Sequence, residues 1–100
     1  MITHFLTYHH QPTVIQHPKS QSVVTGAKAS FKVKATGYPL QFRWLKDCVD
    51  LSDCGKYRDT ETDTLRIVGV EISDKGCYRC RMWNHLQEEF SHEADLTICK

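Results

Sequence analysis

The sequence has no long apolar run, no strong charge imbalance and no recognisable nucleic-acid-binding motif. Its longest apolar stretch is far shorter than the roughly 20 residues that a membrane-spanning helix needs. Thirteen basic and twelve acidic residues are interspersed along the chain and give a formal net charge of +1. A basic surface for nucleic acid is therefore not expected. These absences predict a chain with no membrane segment and no nucleic-acid partner.

The first residues lack the features of a secretory signal. Met1 to Tyr8 contain no Lys or Arg and too short an apolar core for a signal peptide. We expect residues 1–11 to form an N-terminal tail or linker. With 40% apolar and 25% charged residues in a chain of 100, residues 12–99 are expected to form one folded domain.

Sequence patterns for metal binding and catalysis are also missing. Cys48 and Cys54 have five residues between them and no second close pair to complete a zinc site. Six histidines are present, but no Ser, Cys or Asp is spaced to complete a catalytic triad with them. We therefore predict no catalytic residue, no metal, no cofactor and no small-molecule substrate. A Cys48–Cys54 disulfide is expected only in an oxidising environment.

Alternating apolar and polar residues predict an all-β domain of seven or eight short strands. Apolar side chains recur at every second position from residue 29 to 35, opposite lysines that would face water. The same period places Phe42 and Trp44 on one side of a strand, and Tyr78, Cys80 and Met82 on one side of another. Residues 64–68 and 89–98 continue the pattern.

One spacing is specific to a known fold. Asp74-x-Gly76-x-Tyr78-x-Cys80, with Trp44 upstream, resembles an I-set immunoglobulin domain. The resemblance implies an all-β, immunoglobulin-like two-sheet Greek-key sandwich with Trp44, Tyr78, Cys80 and Asp74 in its structural core. The cysteine expected to pair with Cys80 is replaced by Val33, so the sandwich should lack its inter-sheet disulfide.

Two further segments are similar to the immunoglobulin-like domains of the mucosa-associated lymphoid tissue lymphoma paracaspases. These are Gly37 to Trp44, and Glu89-Phe90-Ser91 together with Leu96-Thr97-Ile98-Cys99. This resemblance implies a non-catalytic module of a cytoplasmic signalling scaffold. Such modules hold upstream adaptors and ubiquitin-pathway proteins, here in NF-κB signalling, and couple their assembly to a protease domain elsewhere in the parent chain.

The cysteine pattern favours a cytoplasmic location. The chain keeps five cysteines but lacks the pair that stabilises secreted sandwiches, which fits a reducing compartment. Two alternatives remain: an extracellular adhesion or receptor domain, and a structural spacer in a tandem array. The chain's single asparagine is not in an Asn-x-Ser/Thr sequence, so glycosylation does not support the extracellular alternative.

Strand alternation also predicts a partner-binding surface. Trp83 should point outward because Tyr78, Cys80 and Met82 point inward, and the same outer face should carry arginines. The proposed binding residues are Trp83, Leu86, Arg81, Arg79 and Arg43. An exposed Trp among arginines is typical of interface hot spots for a protein partner or a second copy of the chain. The alternative is a Trp that lies on its own sheet, half covered by arginine side chains. These arginines could also lower the pKa of the outward-facing Cys77 thiol slightly, although the favoured interpretation of Cys77 is an inert exposed thiol.

Overall fold

The computed structural model describes residues 9–99. The secondary structure of this part is almost entirely β. Its strands are β1 (His10–Gln16), β2 (Gln21–Val24), β3 (Ala29–Lys32), β4 (Lys34–Tyr38), β5 (Gln41–Lys46), β6 (Val49–Asp50), β7 (Tyr57–Arg58), β8 (Thr64–Ile67), β9 (Gly76–Trp83), β10 (Glu88–Phe90) and β11 (Ala94–Cys99). A short 3₁₀ turn covers Ile72–Asp74. Because β1 begins at His10, part of the segment predicted as a tail belongs to the sandwich; residues 1–8 lie outside the described part.

The strands form two packed layers. One layer is a six-stranded sheet in the order β2-β11-β9-β5-β6, with β10 also paired to β9. The facing layer contains the three-stranded sheet β3-β8-β7 and the two-stranded pair β1-β4. The strand pairs of this facing layer are all antiparallel. Among the described strands, only the β2–β11 pair of the six-stranded sheet is parallel. The long strand β9 lies in the middle of the larger sheet and therefore has one covered face and one outer face.

Aromatic rings join the two layers in the core. The Phe31 ring of β3 stacks on Tyr78 of β9 with 5.0 Å between centroids, and lies 6.4 Å from the ring of Trp44 in β5. Val33 and Cys80 are 1% and 0% exposed in the same apolar cluster. All five cysteines are free thiols. The predicted all-β sandwich without an inter-sheet disulfide is thus confirmed.

Two of the predicted strands are each divided in the structure. The strand predicted from residue 29 to 35 is interrupted at Val33, whose N–H donates to Asp63 O at 2.9 Å. Here the chain leaves β8 and joins β1, and β4 continues to Tyr38. The last strand is interrupted at Ser91, whose Oγ accepts from Cys80 N and whose N–H donates to Cys80 O, both at 2.9 Å. Changes of pairing partner produce these breaks, and alternation within one strand does not reveal them.

Asp74 holds the connection between β8 and β9. Its carboxylate, 2% exposed, accepts from Lys56 Nζ at 2.7 Å, from Tyr57 Oη at 2.9 Å and from the Glu71 amide at 2.8 Å. Burial by itself would raise the pKa of Asp74, but these donors outweigh it and hold the pKa below the ordinary value. Tyr78 Oη donates to the Asp74 carbonyl, which is the geometry of a tyrosine corner.

A stacked histidine pair fixes the crossover between β1 and β2. The rings of His17 and His92 are 3.6 Å apart and nearly parallel, and His92 N donates to His17 Nδ1 at 2.9 Å. Nδ1 must be unprotonated to accept this bond. Burial, together with the nearby charge on His92 when protonated, lowers the pKa of His17. The neutral form of His17 is therefore part of the folded structure.

Candidate protein-interaction surface

Cross-strand register brings three arginines together on the outer side of the six-stranded sheet. Arg43 of β5 pairs with Arg81 of β9, and Leu45 pairs with Arg79. On the other side of β9, Phe90 pairs with Arg81. Burial alternates along β9, with Tyr78, Cys80 and Met82 fully covered. We call the outer set the arginine face: Arg43, Arg79, Arg81, Trp83 and Phe90.

Two arginines lie against aromatic rings on this face. The guanidinium carbon of Arg81 is 4.7 Å from the centre of the Trp83 ring, and that of Arg79 is 4.6 Å from the centre of Phe90. Cation–π contacts at such exposed sites are worth about 0.5–1 kcal/mol each. They restrict the arginine rotamers before any partner arrives, which lowers the entropy lost on binding.

The three guanidinium groups differ in their ionic partners. Arg43 lies 3.2 Å from a Glu61 oxygen, whereas Arg81 makes looser contacts of 3.8 Å to both Asp50 and Glu88. Arg79 contacts no carboxylate within residues 9–99; its nearest polar contact is Cys48 Sγ at 3.9 Å. The Nε atoms of all three arginines are buried without a hydrogen-bond partner. Arg79 is therefore the guanidinium of this face that has no acidic partner among residues 9–99.

Apolar groups lie beside this charge. Phe90 is 38% exposed, and Leu86, in the turn between β9 and β10, is 43% exposed. The turn is held by Asn84, whose Oδ1 accepts from Leu86 N at 2.8 Å and whose Nδ2 donates to Pro39 O at 3.0 Å. Leu45 belongs to the same sheet face by register but is only 6% exposed. Leu45 therefore contributes packing to this face and offers little accessible surface to a partner.

The structure places the predicted binding residues on one surface. Arg43, Arg79, Arg81 and Trp83 share the outer face, and Leu86 follows at its end. Trp83 is half-buried, because the Arg81 side chain covers part of its ring. Sequence reasoning missed Phe90, since its side is set by the β9–β10 register. Binding by these residues remains a prediction.

Of the two interpretations of Cys77, the one in which arginines lower the pKa of its thiol is wrong. Cys77 Sγ donates to Asp95 Oδ1 at 3.1 Å. This hydrogen bond, followed by burial and the charges of nearby acids, raises the pKa of Cys77 to about 11. Asp95 is a cross-strand neighbour from β11, so it outweighs the arginines on the strand of Cys77. The thiol is therefore protonated and unreactive at neutral pH.

The other thiols form no site in the described part of the chain. Cys48 lies in the turn after β5, whereas Cys54 accepts from Tyr57 N at 3.3 Å in a separate turn before β7. Burial raises the pKa of Cys80 to about 12. Among residues 9–99, no three His, Cys, Asp or Glu side chains are grouped so that they could hold a metal ion.

A β-sandwich of this strand order with a tyrosine corner at Tyr78 defines an immunoglobulin-like domain. Domains of this class are typically non-catalytic and commonly mediate protein interactions. The model of the immunoglobulin I-set domain matches residues 12–98. The chain belongs to the I-set family.

Similar proteins carry such domains in different settings. The chain is 28% identical over 102 residues to mouse leucine-rich repeats and immunoglobulin-like domains protein 2, covering 88% of this chain and 10% of that protein. It is 30% identical over 84 residues to human mucosa-associated lymphoid tissue lymphoma translocation protein 1, covering 83% and 10%. Among solved structures, the titin M4 domain superposes with a TM-score of 0.84 at 26% identity, covering 93% of this chain and 100% of that one.

The chain thus spans about a tenth of the length of these curated relatives. Between residues 9 and 99, no helix has the length and apolar character needed to cross a membrane.

Proposed function

We propose that this chain is a non-catalytic protein–protein interaction module of an intracellular signalling scaffold of the paracaspase type. In this role it would recruit a partner through the arginine face and couple that recruitment to the parent protein. The observation that carries the proposal is the pair of stacked contacts, Arg79 on Phe90 and Arg81 on Trp83, which orders a half-exposed charged and aromatic surface. Arginine and Trp are enriched among the residues that dominate binding energy.

Two findings support the intracellular setting. The core contains Val33 and a free Cys80 where secreted sandwiches have a disulfide. One of the similar proteins is the lymphoma translocation protein. The resemblance to the paracaspase family described above implies a role in NF-κB signalling with ubiquitin-pathway partners.

An extracellular adhesion role is the second candidate. It is favoured by 31% identity over 75 residues to the chicken cell adhesion molecule DSCAM, covering 74% of this chain and 4% of that protein. A thiol count on protein alkylated at cell lysis separates the two settings. Five alkylated cysteines support the intracellular proposal, whereas three, with Cys48 and Cys54 linked, support the extracellular one.

A peptide-display selection tests the binding surface. Peptides selected on the purified chain should lose binding to the Trp83→Ala variant, because Trp83 supplies the largest aromatic surface of the arginine face. The matched control is Arg66→Ala, which removes a 66% exposed side chain from the opposite layer. The control should bind the selected peptides as the wild type does.

The selection also discriminates against the third possibility, a structural spacer as in a tandem array. A spacer predicts that no selected peptide depends on Trp83, and that result would contradict the proposal. Thermal melting of Trp83→Ala completes the test. A melting temperature close to that of the wild type is expected for an outer-face residue, whereas a collapse of stability would place Trp83 in the core.

A further inference from the structure

We infer that the arginine face recognises an acidic, extended segment of a partner protein, with a carboxylate at Arg79 and an apolar side chain between Phe90 and Leu86. This inference rests on the proposed function and names the partner chemistry for the same surface. Nothing in the sequence pattern alone distinguishes acidic from neutral or self-complementary partners.

Arg79 is the residue of the arginine face that we expect to bind a carboxylate. Its guanidinium is held over Phe90 at 4.6 Å, and no acidic side chain of the described residues contacts it. An oriented planar guanidinium binds a carboxylate through two parallel hydrogen bonds. Because Phe90 has already fixed the side chain, little rotamer entropy is lost when that bond forms.

The buried Nε atoms of the three arginines also favour a functional role for this face. The Nε atoms of Arg43 and Arg79 are buried without an acceptor, and that of Arg81 has only the long Glu88 contact of 3.8 Å. Leaving such a donor unsatisfied is unfavourable for folding. Proteins accept local costs of this kind at functional sites.

Spacing along β9 indicates an extended ligand. Arg79 and Arg81 are two residues apart on one strand and point to the same side, which separates their Cα atoms by about 6.8 Å. Carboxylates at alternate positions of an extended peptide have the same separation. The contacts of Arg81 to Asp50 and Glu88 are 3.8 Å long and at the surface, so a ligand would displace them at little cost.

The acidic rim argues against other occupants. Asp50, Glu61 and Glu88 lie against Arg43 and Arg81, so the face offers isolated guanidinium groups and lacks the continuous positive charge that binds the phosphates of a nucleic acid. A second copy, docked about a two-fold axis on this face, would place arginines against arginines. An acidic protein segment can instead pair with Arg79 while its apolar residue covers Phe90 and Leu86.

The two tryptophans of the chain allow a direct test by NMR. The ¹⁵N-labelled chain is titrated with the peptide Glu-Ser-Glu-Phe-Glu-Ser-Glu, its counterpart with Lys in place of Glu, and oligothymidine. The acidic peptide should shift the indole N–H signal of Trp83 and leave that of Trp44, which is buried and bonded to Thr62 O at 2.8 Å. Arg79→Gln should weaken the affinity about tenfold, whereas Arg66→Gln should leave it unchanged.

Several results would overturn the inference: no movement of the Trp83 signal at millimolar peptide, equal binding of the lysine peptide, tighter binding of oligothymidine, or equal losses from Arg79→Gln and Arg66→Gln. The display selection separates this failure from that of the proposed function. Selected peptides that depend on Trp83 but contain no acidic residues would refute the acidic partner and leave the interaction module standing. Peptides that do not depend on Trp83 would refute both.

Discussion

Val33→Cys should restore a disulfide with Cys80 and stabilise the domain. Both side chains are almost completely buried in the cluster between the two layers, Val33 after β3 and Cys80 in β9. Cysteine is slightly smaller than valine, so the substitution introduces no steric clash with the core. The variant therefore tests whether the two positions face each other as the register implies.

The magnitude follows from loop closure. A bridge between positions 33 and 80 closes a loop of roughly 48 residues, for which the chain-entropy model gives about 4 kcal/mol at 25 °C. For a domain of this size each kcal/mol raises the melting temperature by about 4–8 °C. The oxidised variant should therefore melt roughly 15–30 °C above its own reduced form.

The assay needs a background in which Cys48, Cys54, Cys77 and Cys99 are replaced by serine. Because burial raises the pKa of Cys80 to about 12, the native thiol is a poor nucleophile. Oxidation should thus be carried out during refolding, in a glutathione redox buffer. Comparing oxidised and reduced forms of the same variant isolates the bridge from the effect of the substitution itself, and a version that also carries Cys80→Ala is the control. Two free thiols after refolding, or a bridge without a rise in melting temperature, would refute the register or the packing argument.

Two further predictions concern stability and pH. Asp74→Ala removes the carboxylate that accepts hydrogen bonds from Lys56, Tyr57 and the Glu71 amide. The free energy of unfolding in urea should therefore fall by about 3 kcal/mol. A fall below about 1 kcal/mol would mean that water replaces the carboxylate. His17 has a lowered pKa in the folded state, so its contribution to stability is complete above the unfolded pKa of about 6.5 and is lost as pH falls through the folded value. Melting temperatures measured from pH 8 to pH 5 should decline more in the wild type than in His17→Asn. The Asn amide oxygen can accept the hydrogen bond from His92 N–H at any pH in this range. Equal declines in the two proteins would contradict the role of His17.

Features set within one strand could be predicted from the sequence. The inward positions of Tyr78, Cys80 and Met82 follow from a period of two, and burial along β9 shows the same alternation. The outward positions of Arg79 and Arg81 follow from the same rule. Local alternation is sufficient here because β9 is long and one of its faces lies against the core.

Features set between strands could not be predicted. Phe90 joins the arginine face only because β10 pairs with β9 in a register that places it opposite Arg81. Asp95, which lies eighteen residues after Cys77 in the sequence, raises the pKa of the Cys77 thiol by accepting its hydrogen bond. Nothing in the spacing of these residues indicates which neighbours the sheet provides, since that depends on turn length and on the break at Ser91.

The alternation along β9 also places the core side chains and the proposed binding side chains on opposite faces of one strand. Tyr78 and Cys80 are fully buried against the facing layer, whereas Arg79, Arg81 and Trp83 meet solvent on the other side. Substitutions on the arginine face should then change affinity with little change in the free energy of unfolding, and additivity is expected with changes on the covered face. The oxidised Val33→Cys variant is for this reason a suitable background for the arginine-face variants. If Arg79→Gln weakens peptide binding equally in both backgrounds, the loss belongs to the surface; a loss that disappears in the stabilised background would instead reveal partial unfolding.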